Sequence, residues 1–180
     1  MQVRTERDRK LWFSMWFLAS IATFGAAFFP MFHRLIEGRN RHFRRVADLE
    51  KQITSFLRKQ GKEPPAKLEG LRDMNAKAWS AAIILVIPVF AIMYFLSKDL
   101  VTHERHQDRF LATAFPERIF MPQTIPIRKY VVITVVTLGV GGVYWLYKIV
   151  NMYNAHFKAH NELEKEIVKL MEDKRVAKSM

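Results

Sequence analysis

The sequence predicts an all-α integral membrane protein with three transmembrane helices, a cytoplasmic helical hairpin and a long C-terminal helical extension. Three stretches, at residues 11–32, 78–96 and 130–147, contain none of the 29 basic and 17 acidic residues of the chain. Their lengths match the roughly 20 residues that a helix needs to cross a bilayer core. Aromatic residues stand near the ends of all three stretches, as expected at a membrane interface.

The segments between these stretches are predicted to be helices and one loop. Residues 1–10 form a basic tail, and residues 33–77 form an amphipathic helical hairpin that turns at the Gly-Lys-Glu-Pro-Pro sequence of residues 61–65. Residues 97–129 form a loop that is first polar and then rich in proline, which excludes a long helix there. The third transmembrane segment extends over residues 130–150, and an amphipathic helix follows at residues 151–180.

The distribution of lysine and arginine predicts the orientation of these segments. The first loop has 12 such residues and the chain from Lys148 onward has 7, against 4 in the N-terminal tail and 6 in the second loop. Loops rich in lysine and arginine stay on the cytoplasmic side. We therefore expect a multi-pass protein of the cell membrane with its N-terminus outside and its C-terminus in the cytoplasm.

The C-terminal helix has a heptad pattern that continues well beyond the third apolar stretch. Alternating steps of four and three residues connect its members. They are Ile149, Tyr153, His156, His160, Leu163, Ile167 and Leu170. The pattern predicts a packing arm that lies against residues 43–57 or against a helix of a partner.

Two histidines inside this pattern, His156 and His160, raise the question of a metal site. His42 lies at a comparable distance from its own apolar stretch, so that three imidazoles can meet. The favoured interpretation is a set of polar layers that fix the helix register. A metal site is the alternative, but a closed site needs four ligands and the sequence identifies three. His103 and His106 are interpreted as surface residues because charged residues surround them.

One stretch resembles a known family. The sequence TLGVGGVYWLYK, from Thr137 to Lys148, is similar to the Thr-Leu-Gly and Tyr-Trp-Leu-Tyr-Lys signature of an uncharacterised family of small prokaryotic membrane proteins. The resemblance implies a small prokaryotic membrane protein, and it implies no activity because none is assigned to that family.

The sequence contains no catalytic motif. Phosphate-binding loops, nucleophile elbows and zinc-protease motifs are missing, and the chain has no cysteine. Its basic residues lie beside apolar stretches, which favours anionic lipids over nucleic acids as partners. We therefore expect a non-catalytic accessory subunit of a larger prokaryotic membrane enzyme complex, without a cofactor. The alternatives are a homo-oligomeric membrane scaffold and a histidine-based protein for metal handling or transport.

Contacts with other membrane subunits are predicted at two surfaces. The residues are Phe115, Ile119, Phe120 and Met121 in the second loop, and Leu163, Ile167 and Leu170 in the C-terminal helix. Close packing between transmembrane helices is predicted at small residues. These residues are Ala22, Ala26, Gly139, Gly141 and Gly142.

Overall fold

The protein folds into α-helices in the computed structural model, which describes residues 10–66, 71–115 and 125–179, with side chains described up to residue 173. The helices are α1 (Phe13–Ala22), α2 (Phe28–Lys59), α3 (Ala76–Ala82), α4 (Ile87–Ala114), α5 (Ile127–Val136) and α6 (Val140–Ser179). A short 3₁₀ turn, Ile83–Leu85, lies between α3 and α4.

Two of the three apolar stretches are broken by the same kind of turn, Thr-Phe-Gly at residues 23–25 and Thr-Leu-Gly at residues 137–139. Phe24 and Leu138 have φ angles of 49° and 51°, which few residues other than glycine adopt. In both turns the threonine hydroxyl donates to the carbonyl oxygen four residues earlier and accepts from the amide four residues later, at 2.7 to 3.0 Å. Each turn ends one helix and begins the next.

The remaining apolar stretch, at residues 78–96, is broken at Val86, which has a φ of 60°. Pro88 follows in the first turn of α4. A helix cannot run through this position from the N-terminal side, because proline lacks an amide hydrogen and its ring clashes with the carbonyl four residues earlier. This stretch is therefore divided between α3, the 3₁₀ turn and the beginning of α4.

These breaks contradict the prediction of three transmembrane helices. Over the described parts of the chain, none of the helices combines sufficient length with sufficient apolar character to cross a membrane. Helices α1 and α5 have 10 residues each, and the longer helices α2, α4 and α6 contain the charged residues that follow each apolar stretch. The predicted multi-pass location, the outside N-terminus and the cytoplasmic hairpin between two spanning helices are therefore wrong.

Helices α2, α4 and α6 form the central bundle, and polar contacts fix their directions. The indole of Trp145 donates to the hydroxyl of Ser97 at 3.1 Å, and the hydroxyl of Tyr153 donates to the carbonyl oxygen of Leu96 at 3.0 Å. Farther along the bundle, Glu104 of α4 contacts His156 of α6. Residue numbers increase along both helices from the first contacts to the last, so α4 and α6 are parallel.

Helix α1 packs along the first half of α6. The side-chain amide of Asn154 pairs with the backbone of Leu11 at 2.8 and 2.9 Å, and the ring of Phe13 meets that of Tyr147 at 5.4 Å. Helix α1 is thus antiparallel to α6, and its C-terminal end approaches the beginning of α6. The turns at Phe24, Val86 and Leu138 consequently lie at the same end of the molecule.

The apolar core consists of two clusters along the bundle. The cluster nearer the three turns includes Phe32, Ile36, Leu96, Leu100, Ile149 and Tyr153. The second cluster, at the far end, joins α2, α4 and α6 through Leu49, Ile53, Phe56, Phe110, Phe115 and Ile167. The C-terminal arm thus packs within this chain, with Ile167 fully buried and Leu163 and Leu170 partly buried.

The predicted contact residues of the second loop do not form an exposed surface in the part of the loop that the structure describes. Phe115 is buried in the far cluster. Ile119, Phe120 and Met121 lie outside the described residues.

The small residues predicted to pack between helices have different positions. Ala22 and Ala26 are exposed on either side of the first turn. A Cβ atom on Gly141 would lie 2.9 Å from the carbonyl oxygen of Ile133, and one on Gly142 would lie 2.9 Å from the ring of Phe90. Gly141 and Gly142 therefore allow α6 to approach α5 and α4 closely.

The described residues between α2 and α3 are not helical, and those just before α3 return along α2. Helix α2 is continuous over its 32 residues and ends before Gly61, which has a φ of 73°. Residues 71–75 have no regular secondary structure, and the side-chain amide of Asn40 pairs with both backbone groups of Met74 at 2.7 and 3.1 Å. The predicted second helical arm therefore begins only at Ala76.

Candidate metal centre

Four histidines from three helices meet between the two apolar clusters. Helix α2 provides His42, α4 provides His103, and α6 provides His156 and His160; together they are named the histidine cluster. All four side chains are buried. The ring of His42 is central, since its centroid lies 4.7 to 5.2 Å from the centroids of the other three rings. Imidazole groups from distant parts of the sequence therefore face one another in the bundle.

Potential ligand atoms are closest among His42, His103 and His156. One ring nitrogen of each lies within 4.8 Å of the others. The Nε2 atoms of His42 and His156 are 2.7 Å apart. His160 does not belong to this set of three, but its ring faces that of His42. The cluster thus has three close nitrogen donors and a fourth beside them.

Glu104 orients one of these rings. Its Oε1 atom lies 2.5 Å from Nδ1 of His156, and its side chain is largely buried. A carboxylate only accepts hydrogen bonds, so Nδ1 of a neutral His156 carries the proton and Nε2 presents a lone pair. Metal-binding histidines usually have such a carboxylate or carbonyl partner on the second nitrogen. The lone pair of His156 is directed at the Nε2 atom of His42.

Two members of the cluster have ring nitrogens without a hydrogen-bond partner. These atoms are Nε2 of His103 and both nitrogens of His160, and each is shielded from solvent. A buried polar group without a partner costs about 1 to 3 kcal/mol. A bound cation would satisfy the unprotonated nitrogens of these rings.

Burial also keeps three rings of the cluster uncharged at neutral pH. It is the main cause that lowers the pKa of His42, His103 and His160 well below the ordinary value. The neighbouring histidines lower these pKa values further, and the positive charge of Arg45 does the same for His42 and His160. Metals bind neutral imidazole, so protons do not compete for these three rings at pH 7.

A buried ion pair lies on the side of the cluster that faces the three turns. The guanidinium of Arg39 is 2.6 Å from the carboxylate of Asp99 and lies over the ring of Phe43 at 4.5 Å. Burial raises the pKa of Asp99, while the charge and hydrogen bond of Arg39 act in the opposite direction. This pair connects α2 to α4 one turn from His42 and His103, so that it helps to hold the two rings in position.

A cavity beside α1 is separate from the histidine cluster. Its volume is about 400 Å³, and it lies between α1, α2 and the first half of α6. Tyr153 and Phe157 line it, but none of the four histidines does. The ring of Phe157 packs on His42 at 4.8 Å and so lies between the cavity and the cluster. A cation at the cluster would be enclosed, which is typical of structural sites rather than catalytic ones.

The geometry fits a transition metal with one adjustment. Zinc binds imidazole nitrogen at about 2.0 to 2.1 Å, and two tetrahedral ligands then lie about 3.3 Å apart. The 2.7 Å separation of the two Nε2 atoms is shorter, so the rings of His42 and His156 must move apart on binding. The donor set of imidazole nitrogens suits zinc, copper, iron and nickel and does not suit calcium or magnesium.

The sequence identified three of these four histidines and missed His103. The charged residues beside it indicated a solvent-exposed segment, but only Arg105 is exposed, whereas Glu104 contacts His156. Its buried positions follow the same four-three spacing as the C-terminal helix. They are Leu96, Leu100, His103, Gln107 and Phe110. This spacing was the available signal that His103 is buried. It was hidden because His103 was considered as a pair with His106, three residues later, which is only partly buried.

Comparison of the chain with protein-family descriptions, curated proteins and solved structures gives no match. The resemblance of residues 137–148 to a prokaryotic membrane-protein family therefore stays a prediction. The function has to be argued from the site itself.

Proposed function

We propose that this protein binds a divalent transition-metal ion, with zinc as the first candidate, at the histidine cluster, and that the ion holds α2, α4 and α6 together. The observation that carries the proposal is the convergence of four buried imidazoles, two of them with unpaired nitrogens, beside a carboxylate that orients a third. Uncharged, enclosed nitrogen donors form a site for a metal rather than for an organic substrate.

Binding would stabilise the fold because its ligands are far apart in the sequence. His42 and His156 are separated by 114 positions and lie on different helices. A ligand that binds only the folded state stabilises it by about 2.7 kcal/mol at a free concentration one hundred times its dissociation constant. The metal would therefore have a structural role, comparable to that of a crosslink between three helices.

Equilibrium dialysis with Zn²⁺ tests the proposal, and His103→Gln and His106→Gln form a matched pair. Both residues lie on α4, three positions apart, but only His103 belongs to the histidine cluster. The wild type and His106→Gln should bind one ion per chain, whereas His103→Gln should bind it at least tenfold more weakly. Co²⁺ in the same site should give the visible absorption of a four-coordinate ion.

Two results would contradict the proposal. One is a wild-type chain that retains no Zn²⁺ after dialysis against metal-free buffer, and the other is equal affinity of the two variants. The predicted roles as an accessory subunit of an enzyme complex or as a homo-oligomeric scaffold stay predictions, because no contact within the described residues bears on them.

A further inference from the structure

The three turns at Phe24, Val86 and Leu138 form an exposed apolar surface at one end of the bundle, which is named the apolar cap. Phe24 and Leu138 are 102% and 95% exposed. The other large apolar side chains of the cap are also mostly exposed. They are Leu18, Ile21, Ile84, Leu85, Ile87, Val135, Val136 and Val140. An exposed apolar surface of this kind marks a contact with a partner or with lipid.

Basic residues surround the apolar cap. The first charged residue on each side of each apolar stretch is lysine or arginine, in all six cases. These residues are Lys10, Arg34, Lys77, Lys98, Lys129 and Lys148. Arg34 lies over the ring of Trp16 at 5.2 Å, and the Lys148 ammonium lies over that of Tyr144 at 5.5 Å. Basic side chains next to tryptophan and tyrosine are typical of the headgroup level of a bilayer.

In two of the three turns of the cap, the backbone amides make their hydrogen bonds internally. Every amide from Thr23 to Phe28 donates to an acceptor within its own hairpin, and so does every amide from Thr137 to Gly142. Amides of turns in contact with water do not need internal acceptors, because water can accept their hydrogen bonds. Inside hydrocarbon each unpaired group costs several kcal/mol. The paired amides of these two turns therefore favour lipid over an aqueous surface as the surroundings of the cap.

The length of the helices matches one leaflet. Helix α1 rises about 15 Å over its 10 residues, and α4 rises about 16 Å from Ile87 to Lys98. Half of a hydrocarbon core of roughly 30 Å is about 15 Å. When the basic residues are at the headgroups, the three turns reach the middle of the bilayer without crossing it. Such a contact needs no spanning helix.

We propose that the apolar cap inserts into one leaflet of a lipid bilayer and that the surrounding lysines and arginines bind anionic headgroups. A second copy of the chain is the competing occupant. It is disfavoured by charge, because two caps in contact would bring two basic bands toward each other, whereas anionic headgroups complement them. The proposal is independent of the metal site, since none of the four histidines belongs to the cap.

Flotation of the full chain with lipid vesicles tests the proposal. The double variant Phe24→Asn/Leu138→Asn removes the two most exposed apolar side chains and retains the turns, because asparagine tolerates positive φ. We expect it to bind vesicles at least roughly a hundredfold more weakly than the wild type. The matched control is Ala112→Asn, at an exposed position near the opposite end of α4, and it should float like the wild type.

Vesicle composition and a fluorescent label distinguish the possible occupants. Vesicles that contain phosphatidylglycerol should bind more protein than vesicles of phosphatidylcholine alone. Because the chain has no cysteine, Leu138→Cys and Ala112→Cys can each be labelled at one site with an environment-sensitive fluorophore. Only the label at position 138 should show a blue shift when vesicles are added.

Three results would overturn the proposal. The first is equal flotation of the wild type and the double asparagine variant. The second is a label at position 138 that stays in water in the presence of vesicles. The third is a blue shift of this label before vesicles are added, together with a dimer mass by light scattering, which would assign the cap to a second copy.

Discussion

Replacing Glu104 by glutamine should weaken metal binding without unfolding the protein. The carboxylate lies 2.5 Å from Nδ1 of His156 and fixes the proton on that nitrogen. Glutamine has nearly the same size but no charge, and its amide group can donate as well as accept. The lone pair of His156 at Nε2 then loses both its electrostatic support and its fixed orientation.

The expected loss follows from the position of Glu104 behind a ligand. Removing a partner that orients a metal-binding histidine typically lowers the affinity 10- to 100-fold, equivalent to about 1.4 to 2.7 kcal/mol. The side chain of Glu104 is only 15% exposed, so solvent screens little of this interaction. We expect the Zn²⁺ dissociation constant of Glu104→Gln to rise within this range.

Competition with a chromogenic zinc chelator measures this change. Glu162→Gln is the matched control, because Glu162 is exposed and forms an ion pair with Lys165 on the surface of α6. Far-UV circular dichroism of the metal-free variants establishes whether the helix content is unchanged. Equal dissociation constants for the wild type and Glu104→Gln, with intact helices, would refute the role assigned to Glu104.

Three further predictions concern stability. Ile167→Ala should lower the free energy of unfolding by about 2 to 5 kcal/mol in urea, because Ile167 is fully buried in the far cluster, whereas Lys165→Ala should change it little. Gly141→Ala should destabilise the protein more than Gly142→Ala, because the new Cβ atom meets backbone in the first case and a movable ring in the second. Melting temperatures of the two variants measure this difference. The metal-free protein should lose stability as the pH falls below about 6.5, because burial lowers the pKa of three histidines in the folded state. The unfolded chain then binds more protons than the folded chain. Urea unfolding midpoints that do not change between pH 5 and 8 would contradict this.

The heptad pattern of the C-terminal helix was the most informative part of the sequence. It pointed to residues on one face of α6, and the structure buries most of them against α2 and α4. Because helical periodicity states which residues share a face, it brought His156 and His160 together, and His42 was added for its similar distance from an apolar stretch. It does not state which helices are neighbours, so the partner of that face was not determined.

The apolar stretches were misinterpreted because hydropathy does not detect turns. Phe24 and Leu138 adopt positive φ, which residue preferences do not predict for large apolar side chains. The threonine and glycine on either side were the only signal, as the same Thr-X-Gly sequence occurs in the middle of two stretches. Pro88 in the stretch at residues 78–96 was a comparable signal, because a proline interrupts the helix that precedes it.

Anomalous diffraction at the zinc edge tests the central claim most directly. A crystal of the full chain grown with Zn²⁺ should show one peak between α2, α4 and α6, about 2.0 to 2.1 Å from Nε2 of His42 and of His156. A nitrogen of His103 should be a further ligand, and Glu104 should remain on Nδ1 of His156. A map without a peak among these rings, or with zinc bound only to surface residues, would contradict the account.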